Sequence, residues 1–108
     1  MALSREDQVI VAGFGMIPFV KPGASESYDV MGATAIDAAL TDAGLEFSDL
    51  QQAYAGYVYG DSTGGQKAIY RVGMTGIPVV NVNNNCSTGS TALWLARQAI
   101  ESGAVDCV

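Results

Sequence analysis

The sequence contains no histidine and few basic residues. Among 108 residues, five are Lys or Arg and eleven are Asp or Glu, so the formal net charge is −6. Nucleic-acid binding and basic membrane-surface helices both need clustered Lys and Arg. The basic residues here are instead scattered, at Arg5, Lys21, Lys67, Arg71 and Arg97. The charge pattern therefore argues against nucleic-acid binding and against attachment to a membrane surface.

Cysteine and long apolar runs are also scarce. The two cysteines, Cys86 and Cys107, form neither a disulfide framework nor a zinc-binding spacing, and with no histidine we expect no metal site. No apolar run approaches the roughly 20 residues of a transmembrane helix. Residues 1–8 carry three charges and do not resemble a signal or transit peptide. We therefore expect a protein without a membrane span in a reducing compartment, by default the cytoplasm.

The composition is rich in apolar residues, which make up 49% of the chain, whereas charged residues make up only 15%. Disordered chains have the opposite balance, so the sequence predicts one folded unit with part of its surface covered by something else. Predicted strands and helices alternate along it, which favours an α/β layered sheet. The predicted strands are residues 9–15, 53–59, 79–82 and 104–108. The predicted helices are residues 28–43, ended by Gly44 with Leu45 as the hydrophobic contact, and 87–102, ended by Gly103; residues 67–74 are weakly helical.

Two glycine-containing segments do not match nucleotide-binding loops. Gly13 and Gly15 follow a predicted strand, but Pro18 occupies the place of the third glycine and the helix begins about ten residues later. We interpret this segment as a tight exit from the strand. Gly64 and Gly65 lack the following Lys-Ser/Thr of a phosphate loop, so residues 60–66 are predicted to be a mobile surface loop.

Cys86 is the candidate functional residue. It follows a predicted strand and three asparagines and comes directly before a predicted helix. Unpaired N–H groups and the positive dipole end of a helix stabilise a thiolate there, and the same N–H groups suit a developing oxyanion. The helix that follows is apolar around most of its circumference, which predicts burial in a larger protein. From the residues alone, a nucleophile and a buried structural cysteine both remain open, whereas Cys107 is predicted to fill a core.

Residues 83–93, NNNCSTGSTAL, closely resemble the acylating-cysteine segment of thiolases, specifically those of the sterol carrier protein X type. Supporting similarity covers residues 13–16, 21–23, 56–63 and 75–82, and so nearly the whole chain. The resemblance implies a layered α-β-α-β-α fold of two similar halves. It implies that residues 1–108 are a partial N-terminal thiolase domain covering most of the first half, with the chain stopping in the strand that follows the helix after Cys86.

The resemblance also implies the chemistry. Cys86 would be the nucleophile of an acyl-CoA C-acyltransferase that cleaves 3-ketoacyl-CoA in lipid or sterol side-chain β-oxidation, with coenzyme A as co-substrate and no permanently bound cofactor. The family's catalytic histidine and second cysteine have no counterpart here, since Cys107 does not match the family's motif, so we expect them outside this chain. Also implied are a homodimer or larger oligomer, with subunits pairing at residues 79–82 and the loop of residues 60–75, and a peroxisomal location in a eukaryote.

Three alternatives share the same fold. One is a non-catalytic or aldolase-type partner subunit of a lipid- or steroid-degrading complex; the retained Cys86 argues against the aldolase type. Another is a ketosynthase-like decarboxylating condensation, which the chemistry of this chain does not separate from a thiolase. The third is a structural fragment with no activity of its own.

Overall fold

The computed structural model describes residues 8–108, which form three α-helices and a two-stranded parallel sheet. The elements are α1 (Tyr28–Ala43), a 3-10 turn (Phe47–Asp49), β1 (Ala53–Gly56), α2 (Gly64–Ile69), β2 (Val79–Val82), a second 3-10 turn (Asn85–Ser87) and α3 (Thr88–Glu101). β1 and β2 pair in parallel, with Ala53 opposite Val79 and Gly56 opposite Val82. The predicted α/β class with a parallel sheet is confirmed.

α1 has the bounds that its sequence pattern predicts. Gly44 adopts a left-handed conformation with φ of 69° and ends the helix. The N–H of Gly44 donates to the carbonyl of Thr41, and the N–H of Leu45 donates to the carbonyl of Leu40. These two bonds satisfy carbonyls that the last helical turn leaves free, as expected of a glycine C-cap followed by an apolar residue.

The buried side chains come from every layer of the fold. The apolar ones are Ala33, Ile69, Val82, Ala92 and Val105. α1 packs against α2, and α3 packs against β1. α2 contacts both strands as well, so α2 and α3 both pack against the sheet. Within residues 8–108, none of the helices combines the length and apolar content needed to cross a bilayer.

The prediction of a strand at residues 9–15 is wrong. This segment lies against α1: a Cβ added at Gly13 would sit 2.6 Å from the backbone nitrogen of Ala43. The N–H of Phe14 donates to a carboxylate oxygen of Asp42 at 3.0 Å. Ile10 and Phe14 remain 77% and 76% exposed. A strand needs the backbone of a neighbouring strand, and no described strand pairs with this segment, so its apolar pattern alone does not produce a ladder.

The predicted strand at residues 104–108 is also absent. Gln51 takes the place of a pairing partner: its N–H donates to the carbonyl of Cys107 at 2.9 Å. Its side-chain Oε1 accepts from the N–H groups of Asp106 at 2.5 Å and Cys107 at 3.0 Å. Gln51 thus bonds to this segment without a ladder, and Val105 within it is buried. Cys107 is half-buried there rather than in a strand core.

The segment between β1 and β2 differs from its predicted organisation. β1 ends at Gly56 instead of residue 59, and α2 begins at Gly64, so Gly64 and Gly65 are buried helical residues rather than a mobile loop. The Tyr57 hydroxyl bridges this loop, because it donates to the carbonyl of Asp61 and accepts from the N–H of Gly64. This side chain folds the loop back and starts the helix.

Candidate active site between β2 and α3

Cys86 lies in the 3-10 turn Asn85–Ser87, immediately before α3 begins at Thr88. β2 enters this turn from Val82, which is buried. The Cys86 side chain is exposed. The structure therefore places Cys86 between a strand and a helix N-terminus, as its sequence context predicts. Its thiol faces outward rather than into the core of residues 8–108, so it is accessible to an incoming electrophile.

The residue before Cys86 carries an unusual backbone conformation. Asn85 has φ of 48°, in the left-handed region. Asparagine tolerates this region better than other residues with a side chain, because its short polar group bonds locally. The N–H of Asn85 donates to Oδ1 of Asn83 at 3.2 Å. The asparagines at 83 and 85 therefore suit the sharp change of direction that brings the chain to Cys86.

A set of hydrogen bonds that no sequence pattern predicted surrounds the turn. The N–H of Asn84 donates to Oγ1 of Thr88 at 2.8 Å, and its side-chain Nδ2 donates to Oγ1 of Thr91 at 3.0 Å. The carbonyl of Asn84 accepts from both the N–H and the hydroxyl of Ser87. The available signal was the density of Asn, Ser and Thr around a helix start, since these side chains favour bonds to nearby backbone groups.

Thr88 anchors the beginning of α3 to the sheet. Its residue exposure is only 5%. A Cβ added at Gly56 would lie 2.6 Å from Cγ2 of Thr88 and 3.1 Å from its carbonyl oxygen. This close approach is possible because Gly56, at the end of β1, has no side chain. The position of the Cys86 turn is therefore set by β1 as well as by β2.

α3 shows a mixed surface in the described part of the chain. Thr88 and Ala92 are its buried residues. Leu93 and Trp94 are 64% and 57% exposed. An apolar cleft of about 640 Å³ lies between residues 8–13, α1, α3 and residues 106–108. Cys107 lines this cleft but Cys86 does not, so the two cysteines lie in different surroundings. The burial of α3 on all sides stays a prediction.

Two of the basic side chains pair with carboxylates. Lys67 and Arg71 each lie beside a carboxylate: Lys67 Nζ is 3.5 Å from Asp61, and Arg71 Nη1 is 3.1 Å from Asp29. Within residues 8–108, no three His, Cys, Asp or Glu side chains come together as metal ligands. The turn presents an exposed thiol, and this sequence has no histidine to accept its proton.

Comparison with known proteins assigns the chain. Residues 9–108 match the family described as "Thiolase, N-terminal domain". The chain is 56% identical over 104 residues to "Sterol carrier protein 2" of Homo sapiens, covering 94% of this chain and 19% of that protein. It is 47% identical over 103 residues to "Non-specific lipid-transfer protein-like 2" of Caenorhabditis elegans, covering 94% of this chain and 25% of the relative.

Another relative carries the word thiolase in its name. "Benzoylsuccinyl-CoA thiolase subunit BbsB" of Thauera aromatica is 33% identical over 107 residues, which cover 96% of this chain and 27% of that protein. The chain thus spans about a fifth to a quarter of the length of these relatives. Because the family match covers nearly all of the chain, the protein belongs to the thiolase family, through its N-terminal domain.

Proposed function

We propose that this chain supplies the acyl-accepting nucleophile, Cys86, of a 3-ketoacyl-CoA thiolase, an acyl-CoA C-acyltransferase acting in lipid or sterol side-chain β-oxidation. The observation that carries the proposal is the exposed Cys86 thiol at the start of α3, in a chain of the thiolase family. A thiol in this position is open to a thioester substrate, and the neighbouring helix N-terminus favours negative charge.

The proposed reaction proceeds in two steps. The Cys86 thiolate attacks the 3-keto carbon, the bond between carbons 2 and 3 breaks, and acetyl-CoA or propionyl-CoA leaves after its carbanion takes a proton. The acyl group then remains on Cys86 as a thioester until the thiolate of coenzyme A attacks it and releases the shortened acyl-CoA. This covalent intermediate divides one difficult step into two easier ones. Coenzyme A is a co-substrate here, and the proposal includes no resident cofactor.

The proposal requires groups that these 108 residues do not contain. A base must accept the Cys86 proton, and an acid must protonate the leaving carbanion. The sequence has no histidine, and Cys107 lies beside Gln51 in another part of the fold. We therefore propose that residues 1–108 form most of the first half of a longer thiolase, with the base and the second cysteine supplied from outside them.

We further propose assembly into a homodimer or larger oligomer. Among the described strands, β2 pairs only with β1. Tyr70, Met74 and Val80 are 47%, 74% and 40% exposed in the region where the family resemblance places subunit contacts. Apolar exposure of this kind supports a covered surface. A cytoplasmic location, or a peroxisomal one in a eukaryote, belongs to the same proposal.

The test is acylation of the full-length protein. After incubation with acetoacetyl-CoA in the absence of free coenzyme A, peptide mass spectrometry is expected to find one acetyl group on Cys86. Cys86→Ala should abolish the adduct, and Cys107→Ala serves as the matched control that keeps it. An adduct that survives in Cys86→Ala, or that never forms in the unsubstituted protein, would contradict the mechanism.

A second candidate function is a non-catalytic or aldolase-type partner subunit in a lipid- or steroid-degrading complex. One observation favours it: the relative of Thauera aromatica is named as a subunit. The same acylation experiment separates the two functions. A protein that copurifies with a second polypeptide and leaves acetoacetyl-CoA uncleaved, although Cys86 still reacts with iodoacetamide, would support the partner role.

A further inference from the structure

Asn84 forms hydrogen bonds around the Cys86 turn through its backbone N–H, its side-chain amide and its carbonyl oxygen. Its backbone N–H reaches Oγ1 of Thr88, and its side-chain Nδ2 reaches Oγ1 of Thr91, at 2.8 and 3.0 Å. Its carbonyl oxygen accepts from the N–H of Ser87 at 3.1 Å and from the Ser87 hydroxyl at 2.9 Å. A single residue thus contacts the turn and the first helical turn of α3 together.

These bonds close a ring. Oγ1 of Thr91 accepts from Asn84 and donates to the carbonyl of Ser87 at 2.9 Å, while Ser87 donates back to the carbonyl of Asn84. The ring joins Asn84 to Ser87, and along the chain only Asn85 and Cys86 lie between these two residues. Because Asn84 and Ser87 are bonded both to each other and to α3, the ring restricts where the Cys86 backbone can lie.

The ring is also attached to the sheet. Thr88, which accepts from the Asn84 N–H, is 5% exposed and packs against Gly56 at the end of β1. Asn85 has a positive φ of 48°, a conformation that persists when surrounding contacts hold it. The bonds of Asn84 supply such contacts on one side of Asn85, and those of Ser87 supply them on the other.

We propose that Asn84 is a positioning residue for Cys86, acting through the Thr91 hydroxyl. This inference rests on the proposed function, since it assigns Asn84 a part in aiming the nucleophile that the function requires. Asn84 does not contact the reacting atoms in this scheme. Its amide sets the turn that carries the thiol, so that the sulfur meets the 3-keto carbon in line for attack. Small displacements matter at such a site, because a misplacement of about 1 Å costs up to about a hundred-fold in rate.

The test measures single-turnover acylation of Cys86 by acetoacetyl-CoA in the full-length protein. Asn84→Ala removes the amide donor, and Thr91→Val removes the hydroxyl, which is both the acceptor for Asn84 and the donor to Ser87, with little change of shape. Each is expected to slow acylation about ten-fold with KM within about two-fold of the unsubstituted value. Thr91→Ser retains the hydroxyl and is expected to retain the rate. Ser90→Ala, on the exposed surface of the same helical turn, is the matched control.

The double variant Asn84→Ala with Thr91→Val separates positioning through this bond from unrelated damage. If both residues act through one bond, the double variant is about as slow as either single variant, whereas independent effects would multiply to about a hundred-fold. Rates are expressed per folded active site, with the folded fraction measured by thermal unfolding. Iodoacetamide alkylation of Cys86, which makes no demand on substrate alignment, is expected to change less than about two-fold.

The outcomes distinguish this inference from the function beneath it. Normal acylation in Asn84→Ala, or effects that multiply in the double variant, would overturn the positioning role while the Cys86 nucleophile stands. Loss of acylation in parallel with loss of alkylation would assign Asn84 a general folding role and overturn the inference as well. No acylation of Cys86 in the unsubstituted protein would overturn the proposed function, and the positioning role with it.

Discussion

The guanidinium of Arg71 lies 3.1 Å from the carboxylate of Asp29, and this contact joins the first turn of α1 to the residues that follow α2. The two residues are 42 positions apart in the sequence. Asp29 is buried, with 8% residue exposure. A hydrogen bond from Ser27 is the main cause that lowers the pKa of Asp29 below its ordinary value, and the charge of Arg71 acts in the same direction.

We expect Asp29→Asn to lower the melting temperature of the full-length protein at pH 7. Because the pKa of Asp29 is lowered in the folded protein, its ionised carboxylate stabilises the folded state at pH values above its ordinary pKa of 3.8. That contribution is lost as the pH falls through the lowered folded pKa, so the difference between the two proteins should shrink below about pH 4. Thermal melts at pH 7 and at pH 3 measure it. Asp37→Asn, on the exposed face of α1, is the control; an equal loss in that variant would contradict a specific role for the pair.

The two cysteines are expected to differ in alkylation rate. Cys86 is exposed, whereas Cys107 is half-buried, and burial together with the nearby charge of Asp49 raises the pKa of the Cys107 thiol. A raised pKa leaves less thiolate at pH 7, and the thiolate is the reactive form. Timed iodoacetamide labelling followed by peptide mapping should therefore show Cys86 modified several-fold faster. The rates should converge in urea, and equal rates in the folded protein would argue against this assignment.

Gly56→Ala should move the start of α3 and weaken the fold. The added Cβ would lie 2.6 Å from Cγ2 of Thr88, closer than van der Waals contact allows. Overpacking of this kind costs about 1–3 kcal/mol of the free energy of unfolding. We expect slower acylation of Cys86 as well, because Thr88 holds the neighbouring turn.

Gly89→Ala is the control for that substitution. In the described structure nothing lies within 4 Å of the Cβ that it would add. Since alanine favours a helix over glycine by up to about 1 kcal/mol, this variant should keep or raise the free energy of unfolding. Denaturant titrations compare the two variants, and similar destabilisation by both would show that the close approach of β1 to α3 does not limit stability.

Gln51→Leu should release residues 106–107. The Oε1 of Gln51 accepts hydrogen bonds from the N–H groups of Asp106 and Cys107. Leucine has a similar size but no acceptor, so we expect faster hydrogen exchange at both amides and a loss of about 1–2 kcal/mol. Gln51→Glu keeps an acceptor oxygen and should keep both amides protected. Unchanged exchange in Gln51→Leu would show that the backbone bond of Gln51 suffices.

Local sequence patterns predict the elements whose stabilising contacts lie close along the chain. α1 occupies Tyr28–Ala43 as its apolar spacing and Gly44 predict, because helix hydrogen bonds and a glycine C-cap depend on residues within one or two turns. β2 occupies Val79–Val82, and the turn to α3 places Cys86 where its context predicts. The role of Cys86 as nucleophile stays a prediction, based on the resemblance and on this placement.

Two features were not predicted although their contacts lie close along the chain. The loop before α2 lies three residues earlier than expected, at residues 57–63, and Tyr57 bonds across it to Asp61 and Gly64. Residues 60–66 contain no pattern that indicates this closure. The bonds from Asn84 to Thr88 and Thr91 were likewise absent from the prediction, because Asn, Ser and Thr have many possible local partners and only the folded turn selects among them.

The sequence by itself therefore determined the helix α1, the strand β2, the position of Cys86 before a helix and membership of the thiolase family. The tertiary structure decided that residues 9–15 lie against α1 and that Gln51 holds residues 106–107, where apolar patterns predicted strands. The physical reason is that a helix satisfies its own backbone hydrogen bonds, whereas a strand satisfies them only through a neighbour. Which neighbour is available depends on the whole fold and is not encoded in the segment itself.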